Sequence, residues 1–206
     1  MNPPVISRIG DRVLRTPASP VDPAVIESDA VQGLIAAMIA TMRAAPGVGL
    51  AAPQIGESLR ILVAEDTGAA VQALGPDRAG EMERRPFGPV VMINPEWRPV
   101  GTEMRTFFEG CLSIPGYGAL VTRHRVIEVR YLDENGAGHD WTRFHGWPAR
   151  ILQHEADHLD GVLYTDRMIA RSFMTAEAMR GEMARPIAEI LGEFGALPAA
   201  ARPRFG

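Results

Sequence analysis

The pentapeptide His154-Glu155-Ala156-Asp157-His158 constrains the fold more than any other feature of this sequence. An α-helix places side chains four residues apart on one face, with their Cβ atoms about 5–6 Å apart. Both imidazoles can then reach one metal ion at about 2.0–2.1 Å, with Glu155 beside them. Pro148 suits the first turn of such a helix and Gly161 suits its end. The sequence therefore predicts a metal-binding helix over residues 147–160.

A catalytic metal site needs a third protein ligand, and the sequence offers two ways to supply it. The run from His154 to Gly161 also begins the metzincin pattern H-E-x-x-H-x-x-G-x-x-H, but Tyr164 stands where that pattern has its third histidine. Cys111 is the other candidate. A lone cysteine is more often a small buried residue than a ligand. The alternative interpretation of the two histidines is a helix that presents them to solvent.

The composition fits one compact domain and excludes several classes of enzyme. The chain has 206 residues, 46% of them hydrophobic and 22% charged, which is the balance of a globular protein. All 21 of its basic residues are arginine, so it lacks the amine that Schiff-base enzymes and P-loop nucleotide hydrolases require. The formal net charge of -4 argues against a surface that follows phosphates. We expect no direct nucleic acid partner.

Three features predict the compartment. The single cysteine, Cys111, cannot form a disulfide within the chain, which suits a reducing environment. The N-terminal sequence Met-Asn-Pro-Pro does not resemble a secretory signal, and no apolar run reaches 18 residues. We therefore expect a cytoplasmic protein without a membrane segment.

The remaining patterns predict an α+β fold in which antiparallel strands pack around the H-E-x-x-H helix. Apolar residues three and four apart indicate an N-terminal helix over 31–42, capped by Ser28 or Asp29. A C-terminal helical segment over 175–191 should be interrupted or kinked at Pro186. Strands are predicted at 60–65, 90–94, parts of 98–108, 119–132 and 140–144, with a hairpin turn at Asn135-Gly136.

Two segments are expected to lie outside these elements. Residues 66–89, rich in glycine, alanine, proline and charge, are predicted to form a mobile surface loop. Residues 193–206 are predicted to form a loose tail. We expect one catalytic domain over residues 1–206.

Three motifs resemble, in order, the signatures of the peptide deformylases. They are Gly47-Val48-Gly49-Leu50-Ala51-Ala52-Pro53-Gln54, Glu109-Gly110-Cys111-Leu112-Ser113 and His154-Glu155-Ala156-Asp157-His158. The resemblance covers roughly residues 5–170. The stretches 146–153 and 114–117 look like a subgroup known from organelles and some bacteria, and the lack of a transit peptide favours a bacterial enzyme.

The resemblance implies the reaction and the catalytic residues. The formyl group would be hydrolysed from the N-terminal formylmethionine of newly made polypeptides by a metal-bound hydroxide. Cys111, His154 and His158 would hold the ion, and Glu155 would be the general acid and base. Gln54 and the backbone N–H of Leu112 would stabilise the oxyanion. Fe(II) is the implied physiological metal, and the mixed ligands also accept Zn(II), Ni(II) or Co(II).

The resemblance also implies a substrate site. An extended formylmethionyl peptide would lie against Val48 and Gly110 through main-chain hydrogen bonds, so the sequence after its first residue should matter little. Gly47 and Gly49 would let the ligand approach the backbone, although simple turn glycines are the alternative. The methionine pocket would be lined by residues that are equally acceptable as core, namely Tyr117, Trp147 and Ile151. A nascent chain as substrate allows a transient contact with the ribosome.

Three questions stay open at this point. Arg123 can pair with Asp157 behind the site or with Glu109, or the pair can be an ordinary surface one. A zinc peptidase with the same H-E-x-x-H chemistry is the alternative enzyme. A homologue that binds metal without turnover is the alternative of another class, although Glu155 and Gln54 argue against it because a structural site needs neither.

Overall fold

The computed structural model describes residues 4–45, 47–183 and 185–195. The helices are α1 (Asp29–Ala44), α2 (Gly68–Gln72), α3 (Pro76–Glu81), α4 (Gly146–Leu159), α5 (Ala176–Glu182) and α6 (Ile187–Phe194). The strands are β1 (Gly49–Ala51), β2 (Ile61–Asp66), β3 (Phe87–Pro99), β4 (Met104–Cys111), β5 (Ile114–His124), β6 (Val126–Leu132), β7 (Gly138–His145) and β8 (Met174–Thr175). Single 3-10 turns lie at Arg12–Arg15, Pro23–Val25, Ala52–Ile55, Tyr164–Asp166 and Ala170–Ser172.

The strands form two antiparallel sheets. One has five strands in the order β1-β2-β3-β6-β7, and the other has three in the order β4-β5-β8. Strand β1 is therefore an edge of the first sheet and β4 an edge of the second. The α+β class with antiparallel strands and helices near both ends is confirmed.

Helix α4 lies in the middle of the molecule. Every residue from Pro148 to Leu159 is buried, and the helix touches strands of both sheets. Gly161 follows its end with φ +74, a left-handed conformation that glycine adopts without steric cost. A helix that is buried on all sides can hold its histidines away from bulk water.

Helix α1 packs its predicted apolar face on the five-stranded sheet. Val31, Ile35, Met38 and Met42 belong to the core that also contains residues of β1, β2 and β3. Ser28 is the N-cap, since its Oγ accepts a hydrogen bond from the backbone N–H of Val31. The helix extends two residues beyond each end of the predicted range.

The sequence misjudged two segments. Residues 66–89 are not only loop: they contain α2, α3 and the start of β3, and Met82 among them is 3% exposed. The mobility of this segment stays a prediction. Residues 119–132 are two strands that separate at Arg125, because β5 pairs with β4 in one sheet and β6 pairs with β3 and β7 in the other.

The C-terminal segment is helical and interrupted, as predicted. Pro186 precedes α6, because its ring and missing N–H prevent α5 from continuing through it. The predicted tail begins inside α6, at residues 193–194, and residues 196–206 lie outside the described part of the chain. One domain over 1–206 stays a prediction. Among the described residues no helix is both long and apolar enough to span a bilayer.

Candidate metal centre

Cys111, His154 and His158 come together as one group. A single ligand atom from each lies within 4.8 Å of the other two, and Cys111 Sγ is 3.3 Å from His158 Nε2. Ligand atoms around a tetrahedral ion bound at 2.0–2.3 Å lie roughly 3.3–3.8 Å apart. The three side chains therefore fit a divalent cation with a small adjustment, and they leave a fourth position for another ligand.

Strand β4 delivers the cysteine from its last residue. Gly110 pairs with Gly118 of β5, and the register shifts at the next residue so that Cys111 pairs with Ile114. The chain turns tightly through Leu112 and Ser113 between these strands. The thiol therefore sits at a sheet corner facing α4, a position that the spacing of the motifs alone does not predict.

Glu109 orients the first histidine. Its Oε2 is 2.9 Å from His154 Nδ1, which leaves Nε2 for a metal, the usual arrangement of a carboxylate behind a ligating histidine. Burial lowers the pKa of His154, but hydrogen bonds with Cys111 and Glu109 raise it further, to a net increase. Burial lowers the pKa of His158 well below its usual range, so this ring is neutral. A cation would displace the remaining proton, since metal binding requires neutral imidazole.

Arg123 forms hydrogen bonds with both of its candidate partners, Glu109 and Asp157. Its Nε and Nη2 donate to the two oxygens of Glu109 at 2.7 and 2.9 Å, and its Nη1 donates to Asp157 Oδ2 at 2.8 Å. Arg150 of α4 also donates to Glu109. Arg123 is 4% exposed, so the interpretation as a surface ion pair is wrong. We call Glu109, Arg123, Arg150 and Asp157 the buried charge cluster.

Glu155 lies at the site without a hydrogen bond from an arginine to its Oε2 in the described part of the chain. It is 4% exposed, and no described group hydrogen-bonds to its Oε2. Burial raises the pKa of this carboxyl to about 7, against the opposing charges of His154 and Arg123. A carboxyl that changes ionisation near neutral pH is suited to accept and return a proton.

Glycine is required at positions 47 and 49 because neighbouring atoms leave no room for a side chain, and not because of the backbone conformation. Neither has a positive φ. A Cβ at Gly49 would lie 2.3 Å from Glu155 Oε1, and one at Gly47 would lie 2.8 Å from Leu112 Cδ1. Only glycine allows the carboxylate of Glu155 to approach the edge of β1 this closely.

Gln54 directs its side-chain amide toward Cys111. Its Oε1 accepts from the backbone N–H of Ala51 at 2.8 Å, which fixes the orientation of the amide. Its Nε2 is 3.3 Å from Ser113 Oγ and 3.6 Å from Cys111 Sγ. Next to it, the backbone carbonyl of Leu112 accepts from Arg8 Nη1 at 2.6 Å. These bonds hold the two predicted oxyanion donors at the same corner.

A cavity of about 430 Å³ opens at this corner, between the edge strands β1 and β4. Its walls include the site residues predicted from the sequence, with two exceptions, His158 and Tyr117. The predicted residues in its lining are Gly47, Val48, Gly49, Gln54, Gly110, Cys111, Leu112, Trp147, Ile151, His154 and Glu155. His158 lies behind the wall, with its Nε2 3.3 Å from Cys111 Sγ. Tyr117 is 46% exposed and its ring stacks on Phe173 at 5.2 Å. Its placement in the methionine pocket is therefore corrected.

Four further residues line the cavity although the sequence did not single them out: Arg84, Phe108, Arg150 and Met179. Arg150 could have been found from its spacing, since it lies four residues before His154 on the same helix. Phe108 could not, because a residue three positions before Cys111 on a strand faces the other way. Arg84 and Met179 come from distant segments. Their positions depend on tertiary packing, which leaves no local signal.

The comparisons with known proteins agree with this geometry. The family model for polypeptide deformylase matches residues 4–173. The chain is 48% identical over 174 residues to a chloroplastic peptide deformylase 1A of Solanum lycopersicum, covering 84% of this chain and 62% of that protein. It is 46% identical over 180 residues to peptide deformylase 3 of Streptomyces avermitilis, covering 87% of this chain and 78% of the relative.

A solved structure extends the likeness to three dimensions. It is a class I type b peptide deformylase of Acinetobacter baumannii with Met-Ala-Ser bound, and it is 36% identical with a TM-score of 0.70. The match covers 79% of this chain and 96% of that one. The chain thus spans nearly all of the bacterial structure but less than two thirds of the tomato protein.

Proposed function

Because this chain belongs to the polypeptide deformylase family, we propose that it hydrolyses the formyl amide of N-terminal formylmethionine on newly made polypeptides. The observation that carries this proposal is the placement of Glu155. A buried carboxyl with an unbonded oxygen lies beside a Cys-His-His ligand set, at the wall of a peptide-sized cavity. The Met-Ala-Ser bound to the Acinetobacter enzyme supports a ligand that begins with methionine.

The metal would be held by Cys111, His154 and His158. A divalent cation in this set supplies a Lewis acid that polarises the formyl carbonyl and makes water a stronger acid. Glu155 takes the proton from the attacking water and passes it to the leaving nitrogen, so that formate and a free amine result. The pKa of Glu155 near 7 lets one group act in both directions at neutral pH.

Gln54 would stabilise the charge that develops on the formyl oxygen. The backbone N–H of Ala51 already fixes its Oε1, so its Nε2 donor points into the site without reorganisation. The backbone N–H of Leu112 is proposed as the second donor. Donors that are held in place before the reaction contribute more than donors that must reorient.

The extended peptide would lie between the two edge strands. Val48, Gly49 and Gly110 line the cavity, and the peptide would pair with the main chain of these edges as an added strand does. Trp147 and Ile151 of α4 would receive the methionine side chain. This assignment leaves the substrate amide next to the Cys-His-His set.

Fe(II) is proposed as the physiological ion, with Zn(II), Ni(II) or Co(II) as possible occupants, because one thiolate and two imidazoles accept all four. We also propose a cytoplasmic location without membrane partners, which the single cysteine supports. The net charge of -4 supports the absence of a nucleic acid partner. The proposed substrate, a nascent chain, supports a transient contact with the ribosome.

The test is formate release from a formyl-Met peptide by protein of measured metal content. We expect turnover that scales with bound metal, and Cys111→Ala should lose both metal and activity. Cleavage of an internal peptide bond at a comparable rate would favour a zinc peptidase. Stoichiometric metal with no hydrolysis of either bond would favour a homologue that binds metal without turnover.

A further inference from the structure

The two faces of the three-stranded sheet carry different side chains next to the cavity. Side chains alternate along a strand, so Glu109 of β4 points to one face while Phe108 points to the other. The first face meets α4, since Glu109 bonds to Arg150 and His154. Phe108 packs instead with Leu120 of β5.

Helices α5 and α6 cover this second face. The apolar cluster on it contains Phe108 and Leu120 of the sheet together with Ile190. The partly buried residues that pack against this cluster are Ile169, Met174, Met179, Met183, Ile187, Leu191 and Phe194. Both helices come after residue 173, where the match to the family model ends. This cover is therefore built by a part of the chain that the family pattern does not include.

The absence of a side chain at Gly118 lets one residue of α5 reach the cavity. Gly110 and Gly118 face each other across β4 and β5. A Cβ at Gly118 would lie 2.3 Å from Met179 Sδ and 2.9 Å from the backbone oxygen of Glu109. The side chain of Met179 thus packs against the backbone at Gly118, and it extends far enough to form part of the cavity wall.

A substrate peptide would present alternate side chains to the two sides of this cavity. The cavity lies at the free edge of β4, with Trp147 and Ile151 on the α4 side and Phe108 and Met179 on the α5 side. If the first side chain of an extended peptide enters the α4 side, the second points to the opposite side. The second side chain then meets the thioether of Met179.

We infer that Met179 determines specificity by forming an apolar contact for the side chain of the second residue of the peptide. This inference rests on the proposed function. It limits the expectation that the sequence after the first residue matters little, because one downstream side chain has a dedicated partner. Methionine is suited to this role, since its flexible, polarisable side chain adapts to side chains of different shape.

The test compares three substrates that differ only at the second residue: formyl-Met-Leu-Ala, formyl-Met-Asn-Ala and formyl-Met-Gly-Ala. Leucine and asparagine have similar size and no charge, so charge attraction to the guanidinium groups of Arg84 and Arg150 in the cavity wall does not enter the comparison. We expect kcat/KM to favour leucine over asparagine ~5–10-fold, the value of about 50 Å² of apolar surface removed from water. In Met179→Ala and in Met179→Gln this ratio should fall toward 1.

Met183→Ala is the matched control. Met183 belongs to the same apolar cluster but does not line the cavity, so its removal should weaken the packing of α5 and leave the ratio unchanged. A ratio that changes equally in Met179→Ala and Met183→Ala would overturn the inference, as would equal rates for the leucine and asparagine peptides in the wild type. Failure of metal-loaded wild-type protein to release formate from any of the three peptides would overturn the proposed function, and the inference with it.

Discussion

Two glutamates adjoin the proposed metal ligands, and they are buried to nearly the same extent, with Glu109 6% and Glu155 4% exposed. Their surroundings differ. Burial opposes the ionisation of Glu109, but the charge of Arg123 and hydrogen bonds from His154 and Arg123 outweigh it, so its pKa is well below the usual range. Glu155 lacks such a bond at Oε2, and burial raises its pKa to about 7.

The difference shows that partners, more than burial, decide the charge of a carboxyl in this protein. In the buried charge cluster the carboxylate of Glu109 is permanently ionised and holds His154 in place. At the cavity Glu155 is left free to exchange a proton. Pairs of titratable groups whose environments separate their pKa values are typical of acid-base sites. The comparison therefore supports a positioning role for Glu109 and the catalytic role that we propose for Glu155.

The largest effect is expected for the chemistry at Glu155. Glu155→Gln keeps the shape of the side chain but removes its ability to exchange a proton, so kcat for formate release should fall about 10²–10⁴-fold. Bound metal, measured by elemental analysis, should stay at the wild-type level. Glu128→Gln is the control, because Glu128 pairs with Arg98 and Arg143 on the surface. Loss of metal with unchanged activity per bound ion would make Glu155 a ligand instead.

The next effect concerns the stability that Glu109 provides. Glu109→Gln leaves the buried guanidinium of Arg150 without its carboxylate and Arg123 with only Asp157. Breaking a buried ion pair on one side costs about 3–5 kcal/mol. Urea unfolding of metal-free protein should show this loss, whereas Glu128→Gln should cost less than about 1 kcal/mol, as exposed pairs do. Equal costs for the two variants would contradict the contrast between cluster and surface.

The sequence predicted what local spacing can encode. His154, Glu155 and His158 lie on one helix whose ends are marked by Pro148 and Gly161, so four-residue periodicity was sufficient. Cys111 could not be chosen from spacing, because it reaches the helix across a sheet corner. Its choice needed the resemblance to a family.

The sequence could not predict contacts between distant segments. Arg84 and Met179 reach the cavity from α3's C-terminal side and from α5, and no periodicity relates them to the metal ligands. Tyr117 was misplaced for the same reason: it follows the cysteine motif closely, but β5 turns its ring toward Phe173. The break at Arg125 between β5 and β6 was missed because no glycine or proline interrupts the sequence from Ala119 to Leu132.

A smaller effect is expected on the pH dependence of stability in metal-free protein. The pKa of Glu155 rises from 4.5 in the unfolded chain to about 7 in the folded one. The folded state thus binds the proton more tightly than the unfolded chain does. The resulting contribution to the free energy of unfolding is fully present below pH 4.5 and is lost as pH rises through 7. The shift corresponds to about 3 kcal/mol. Glu155→Gln should remove this contribution. In urea unfolding, the stability of the variant relative to the wild type should therefore increase as pH rises from 4.5 to about 8. A constant difference across this range would show that Glu155 has an ionic partner.

The smallest effect should appear in the affinity for metal when Glu109 is changed. Glu109→Gln weakens the hydrogen bond to His154 Nδ1 that orients the ring and makes it a better ligand. Removal of such a partner behind a ligating histidine typically costs 10–100-fold in affinity. Competition with a chelator of known affinity would measure this change for Zn(II) or Co(II).

Loss of stability alone could mimic this result, so Asp66→Asn is the control. Asp66 is 1% exposed and accepts two hydrogen bonds from Arg84 at 2.7 and 3.0 Å, but it is not one of the carboxylates bonded to a metal ligand in the described structure. Its replacement should destabilise the fold and leave metal affinity unchanged. If both variants lose affinity in proportion to their loss of stability, Glu109 acts only by holding the fold together. If Glu109→Gln alone weakens binding, its carboxylate acts on the metal through His154, which Glu155 does not.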